Sequence, residues 1–189
     1  MALLLTTEPL LTAQQFMAWY DQQPDGRRYE LLEGVVHEMQ SERVIHGRIK
    51  RRIGNVLERQ IAKNQLGCEL FIDGMAVRVD GETVFEPDAL VRCGERLPDE
   101  LTLILDPLIV VEVNSPSTQR IDALHKLAGY FRNPSILHYL ILIPATKTIL
   151  HHQRMPDGRI VMTPAHKTGV LRLDPPGVEV DLAEVFGEG

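Results

Sequence analysis

The sequence predicts a mixed α/β fold of the α+β kind, a mixed β-sheet flanked by helices without regular strand–helix alternation. Three observations predict it. A helix-period pattern of apolar residues runs from about Glu42 to Lys63. The branched apolar run Leu108–Val113 reads as a central strand buried on both faces. Around them lie short β-rich pieces bounded by Gly, Pro and Asp.

In chain order, Thr12–Tyr20 reads as a short helix, with Thr12 as N-cap and Phe16, Trp19 and Tyr20 as its apolar side. Gln22-Gln23-Pro24-Asp25-Gly26 is turn chemistry, because Pro restricts φ and Gly accepts positive φ. Tyr29–Leu32 and Val35–Met39 flank Glu33-Gly34, a two-residue hairpin signal. For the long helix, Ser41 is the expected N-cap. Ile45, Ile49, Ile53, Val56, Leu57 and Ile61 share its inner face, leaving Arg48, Lys50, Arg51, Arg52 and Arg59 to the others. Cys68–Ile72, Met75–Val79 and Val84–Val91 read as strands. Ile121–Phe131 is a second amphipathic helix, ended by Asn133-Pro134, with Ile121, Leu124, Leu127, Ala128 and Phe131 toward the core. Ile136–Ile143 is another buried strand, stopped by Pro144. Thr148–Gln153 and Arg159–Thr163 pair across Pro156-Asp157-Gly158. The whole chain, 1–189, is expected to be one domain, its N-terminal helix and C-terminal hairpin decorating a common core.

Composition narrows the class. An apolar share of 44% with 24% charged residues belongs to a globular chain. Apolar runs such as Leu108–Val111 are far too short for a bilayer, so no membrane partner is expected. Met1-Ala2-Leu3-Leu4-Leu5 lacks the basic n-region of a signal peptide, so a cytoplasmic location is expected. Cys68 and Cys93 have no metal-ligand spacing; a single disulfide fits the count, but reduced thiols fit that location better. A net charge of −6 argues against a protein whose whole surface binds nucleic acid, while leaving room for a local basic patch beside an acidic site. No Gly-rich phosphate loop and no Gly-X-Ser-X-Gly elbow supports nucleotide or serine hydrolysis. His151 and His152, adjacent in a strand, point to opposite faces and do not suit one metal.

Two carboxylates carry the chemistry. Asp88 follows Pro87 in an apolar strand, and Glu112 interrupts the buried run Leu108–Val113. A buried carboxylate is costly unless it is paired or holds a cation. Two on neighbouring strands suit a hard cation such as Mg²⁺ or Mn²⁺. The plainer alternative is that each caps a strand end or pairs with an Arg. Asp122, Lys126 and Tyr130 follow at i, i+4 and i+8. By periodicity alone Asp122 and Lys126 read as a solvated surface pair.

Pro87-Asp88, then Glu112-Val113-Asn114 some two dozen residues later, resembles the Pro-Asp…(Asp/Glu)-X-Lys signature of the restriction-endonuclease-like nucleases. The longer string is more specific: Tyr29-Glu30-Leu31-Leu32-Glu33-Gly34, His46, Pro87-Asp88, Glu112-Val113-Asn114-Ser115-Pro116-Ser117-Thr118, then Asp122, Lys126 and Tyr130. It resembles the Uma-type family of restriction-endonuclease-like proteins over roughly Phe16 to Leu150. The resemblance implies a restriction-endonuclease-like core with Asp88, Glu112 and the backbone carbonyl of Val113 as ligands of Mg²⁺ or Mn²⁺. It also implies Lys126 in place of the lysine that Asn114 lacks. Glu30, Glu33, His46 and Asn114 fall at pocket positions. Where the family has an aromatic strand ending in Asp-Pro, this chain has His138–Ile143 and Pro144. The implied function is a metal-dependent DNA endonuclease, with Arg48, Lys50, Arg51 and Arg52 as phosphate contacts and a homodimer by analogy with nucleases that cut both strands. The alternative is an inactive nuclease fold kept as a binding or self-association module.

Overall fold

The computed structural model describes residues 10–24, 26–114, 121–163 and 166–187, and only the backbone of residues 121–125. In chain order its elements are α1 (Ala13–Tyr20), β1 (Tyr29–Leu32), β2 (Val35–Glu38), α2 (Val44–Lys63), β3 (Cys68–Ile72), β4 (Ala76–Arg78), β5 (Val84–Phe85) and β6 (Ala89–Cys93). They continue with β7 (Leu103–Ile104), β8 (Ile109–Val113), α3 (Ile121–Tyr130), β9 (His138–Ile143), β10 (Thr148–Arg154), β11 (Ile160–Met162), β12 (Val170–Leu173), β13 (Val178–Asp181) and α4 (Leu182–Phe186). This is the expected α+β class, with mixed sheets flanked by helices. One sheet has the order β11-β10-β9-β8-β6-β3, a second β2-β1-β5-β4-β7, and β12-β13 is a hairpin. In the six-stranded sheet β8 and β9 run parallel and the other pairs antiparallel.

Local chemistry accounts for the clearest boundaries. Thr12 caps α1 in a capping box with Gln15. The β1–β2 turn needs positive φ at both central residues, and Glu33 (49°) and Gly34 (80°) supply it. The helix α2 starts at Val44 with Arg43 as its cap residue, not at the expected Ser41. Ile45, expected inside, is exposed in the first turn, whereas Lys50, expected on a solvated face, is buried. On α3, Ala128 is exposed although the periodicity turned it inward.

The expected strand Val84–Val91 is two strands. Pro87 cannot donate to a ladder. At Glu86-Pro87-Asp88 the chain leaves the five-stranded sheet through β5 and enters the six-stranded sheet as β6. Asp88 therefore sits at the seam between sheets, not inside a strand.

Alternation along the six-stranded sheet builds a core on each face. Ala89, Val91, Ile109, Val111 and Val113 pack with Ile49, Ile53 and Leu57 of α2 and with the β12–β13 hairpin. Leu90, Val110, Tyr139 and Ile141 face the other way, toward Phe85 and Tyr130. A third cluster joins Phe16 of α1 to Leu31 and Val84.

Cys68 and Cys93 are register partners across β3–β6 and form a disulfide, correcting the expectation of reduced thiols. Their separation in sequence does not reveal that they face each other. His151 bonds His138 at 2.9 Å, and His152 on the opposite face lies over Tyr139. Burial holds both below the usual histidine range, His151 at about 3, so they are neutral core groups. Among the described residues no helix is long and apolar enough to cross a membrane.

Candidate active site

The sheet seam and two helices build one polar site. Carrying the β6–β8 register one step past Ala89↔Val111 sets Asp88 across from Glu112. Both are buried, each 7% exposed. Asp88 Oδ2 accepts the N–H of Val113 at 2.6 Å, which fastens this carboxylate to the backbone beside Glu112. Its Oδ1 lies 2.7 Å from Lys50 Nζ. Glu112 Oε1 accepts from the Tyr130 hydroxyl at 2.7 Å and from Lys126 at 3.0 Å.

Lys126 and Tyr130 are one turn apart on α3, so one helix face delivers both donors to Glu112. Lys126 also donates to Glu30 at 2.8 Å and lies 5.6 Å from the Phe85 ring centroid. Lys126 is thus directed into the site and not to a solvated face; the side chain of Asp122 lies outside the described residues.

A wider shell joins this centre. Lys50 bonds Asp73 at 2.6 Å and also Glu42. Arg28 bonds Glu86 at 2.8 Å and Glu42 at 3.3 Å. Glu86 accepts the Gly74 N–H at 2.8 Å, and its own N–H donates to Glu30 at 2.9 Å. Six carboxylates (Glu30, Glu42, Asp73, Glu86, Asp88 and Glu112) thus share three cations (Arg28, Lys50 and Lys126). With every group ionised, these carboxylates outnumber these cations by three among the described residues.

Burial sets the electrostatics of the site, and the neighbouring charges modify it. Burial pushes the Glu112 carboxyl up to about 7; Lys126 opposes the shift, while Asp88 and Glu30 reinforce it. Burial also raises Asp88, against the pull of Lys50 and the Val113 N–H. Burial alone would lower the Lys126 ammonium, but Glu112 and Glu30 hold it above its ordinary value. A site rich in carboxylate oxygens fits a hard divalent cation better than a thiophilic metal.

The other expected residues divide. Glu30 is in the network. Glu33 stands at the β1–β2 turn and lines a separate depression with Asp80, Thr83 and Arg132. His46 is half-exposed, one turn before Lys50 on α2. Asn114 leaves β8 with its N–H on the Leu142 carbonyl. Arg48 and Arg51 are exposed and Arg52 is half-buried. Lys50 is not presented to a phosphate backbone, because carboxylates enclose its ammonium. Ser115–Thr118 lie outside the described residues.

Sequence reasoning missed Arg28, Glu42, Asp73 and Glu86 and misassigned Lys50. Glu86 stands next to Pro87, a signal that was available. Nothing local marks the others, which meet only through tertiary contacts.

A family model, Uma2, described as "Putative restriction endonuclease", matches residues 13–183. An "uncharacterized protein" of Synechocystis is 25% identical over 151 residues, which is 79% of this chain and 77% of that one. A crystal structure of a "putative nuclease" from Anabaena variabilis superposes with a TM-score of 0.74 at 15% identity, covering 93% of this chain and 97% of that one. At that identity the likeness bears on the fold alone.

Proposed function

The chain belongs to the Uma2 family of restriction-endonuclease-like proteins, and from that premise we propose that it is a Mg²⁺- or Mn²⁺-dependent endonuclease hydrolysing phosphodiester bonds in DNA. The observation that carries this reading is the buried pair Asp88 and Glu112, set opposite each other in a network in which, among the described residues, carboxylates outnumber cations. Asp88, Glu112 and the Val113 carbonyl would hold the ion. When bound, such a cation lowers the pKa of water and neutralises charge on the scissile phosphate.

The chain's own residues do the rest. Tyr130 fixes Glu112 by a hydrogen bond. Glu30 and Glu112 aim the Lys126 ammonium, which orients the attacking water or stabilises developing negative charge. Arg48 and Arg51, exposed on α2, are the remaining candidates for phosphate contacts.

The test is Mn²⁺ titration calorimetry with plasmid cleavage for the wild type, Asp88→Ala and Glu112→Ala. Binding and cleavage by the wild type, both lost in the two variants, are expected. Unchanged Mn²⁺ affinity in the variants would remove these ligands. A wild type that binds Mn²⁺ but cuts none of a broad DNA panel would favour an inactive binding module.

A further inference from the structure

Lys50 is 2% exposed, yet it stands on a helix beside Ile49 and Ile53, in a position an apolar residue would ordinarily take. Its ammonium bonds Glu42, Asp73 and Asp88 together. One oxygen from each of these carboxylates lies within 4.8 Å of the others, a grouping compact enough for a metal ion. Lys50 arrives from α2 on one face of the six-stranded sheet, whereas Lys126 arrives from α3 on the other. Asp88 is the shared carboxylate: across from Glu112 on one side and bonded to Lys50 on the other.

Two-ion phosphodiesterases set their cations about 3.5–4 Å apart around a shared carboxylate. We propose that Lys50 is a tethered cation occupying the second-cation position of this site, so that the protein binds one divalent ion where the carboxylate arrangement would otherwise accept two. This rests on the reading of Asp88 and Glu112 as metal ligands. Lys50 is a positioning residue: it fixes Asp88 Oδ1 and keeps Glu42 and Asp73 out of the metal's coordination. A purely structural ion pair would govern stability but not the number of ions bound.

The experiment counts Mn²⁺ by calorimetry, with electron paramagnetic resonance of the free ion as an independent count. It compares the wild type with Lys50→Met, Lys50→Gln and Lys50→Arg, after a cooperative melt confirms that each is folded. One ion is expected for the wild type and for Lys50→Arg, and two for the neutral variants, with spin coupling between neighbouring Mn²⁺ ions. Two ions in the wild type overturn the proposal, and so does a single ion in a folded neutral variant. The wild-type count is decisive in this way even where a neutral variant does not fold. No Mn²⁺ on any form overturns the parent reading of Asp88 and Glu112, a failure distinguishable from that of Lys50 alone.

Discussion

Lys126 and Glu112, fourteen residues apart, meet at 3.0 Å between a helix and the central strand, although the helix's own periodicity turned Lys126 toward solvent. Two requirements compete on α3: a surface helix sends charged side chains outward, and a buried carboxylate needs a counter-charge. The carboxylate wins, because an unpaired charge in the interior costs several kcal/mol, roughly, while an exposed i,i+4 pair returns only about 0.2–0.5 kcal/mol.

Lys126→Met is therefore expected to lower the rate of Mn²⁺-dependent plasmid cleavage by roughly 10²–10⁴-fold, the usual contribution of an acid–base or charge-stabilising group. Mn²⁺ affinity should stay nearly intact. Equal cleavage rates would reduce Lys126 to a structural counter-ion.

Tyr130→Phe removes one donor from Glu112 and leaves the buried ring in place. Hydrogen bonds to charged groups contribute about 1.5–3 kcal/mol, so the urea midpoint should fall by a corresponding amount. The Tyr130 bond also holds the Glu112 carboxyl down, so its pKa should rise in the variant. Carbon-13 NMR of the Glu112 carboxyl against pH reads this directly; an unmoved titration would contradict the contact.

Glu112 binds its proton more tightly when folded, at about 7, than in the unfolded chain, near 4.5. Its contribution to stability is thus complete below about 4.5 and is lost as pH rises through about 7. Asp88 is shifted in the same direction. The metal-free protein should melt at progressively lower temperature across that window, and Glu112→Gln should flatten the slope. Mn²⁺ affinity should rise over the same range with proton release, because the ion displaces the proton. Calorimetric melts in EDTA and Mn²⁺ titrations in buffers of different ionisation heat measure both effects. A flat profile would mean that Glu112 is already ionised.

Gly129→Ala would place a Cβ 2.5 Å and 2.9 Å from two Phe85 ring atoms. Overpacking of this kind costs about 1–3 kcal/mol, against up to about 1 kcal/mol gained in helix propensity. The variant should lose stability in urea and, by lifting α3 from Phe85, displace Lys126 and slow cleavage. A raised midpoint would show that the ring can move aside.

Where structure depends on near neighbours, the sequence was legible. The Thr12 N-cap, the Glu33-Gly34 turn, the buried strand β8 and the α2 period each rest on residues a few positions apart. The break at Glu86-Pro87-Asp88 was not read, although Pro87 marked it, because β-branched and aromatic residues on both sides suggested one continuous strand. In the site, Asp88, Glu112, Glu30 and Lys126 stood out through residue type, motif spacing and family resemblance. Lys50 did not, because on a helix with Arg48, Arg51 and Arg52 around it, a lysine looks like part of a solvated face.

By itself, then, the sequence determined most of the helices and strands between Thr12 and Thr163 and the two carboxylates that demand a counter-charge, since period and residue chemistry are written along the chain. Only the tertiary structure decided which cation meets which carboxylate. Lys126 reaches Glu112 and Glu30, and Lys50 reaches Asp88, Asp73 and Glu42, over separations of up to 96 residues. Whether Cys68 and Cys93 meet and bond belongs to the same category. The physical reason is that counter-charge pairing is settled by burial and by distances of about 3 Å in space, and neither is encoded in the local period of the chain.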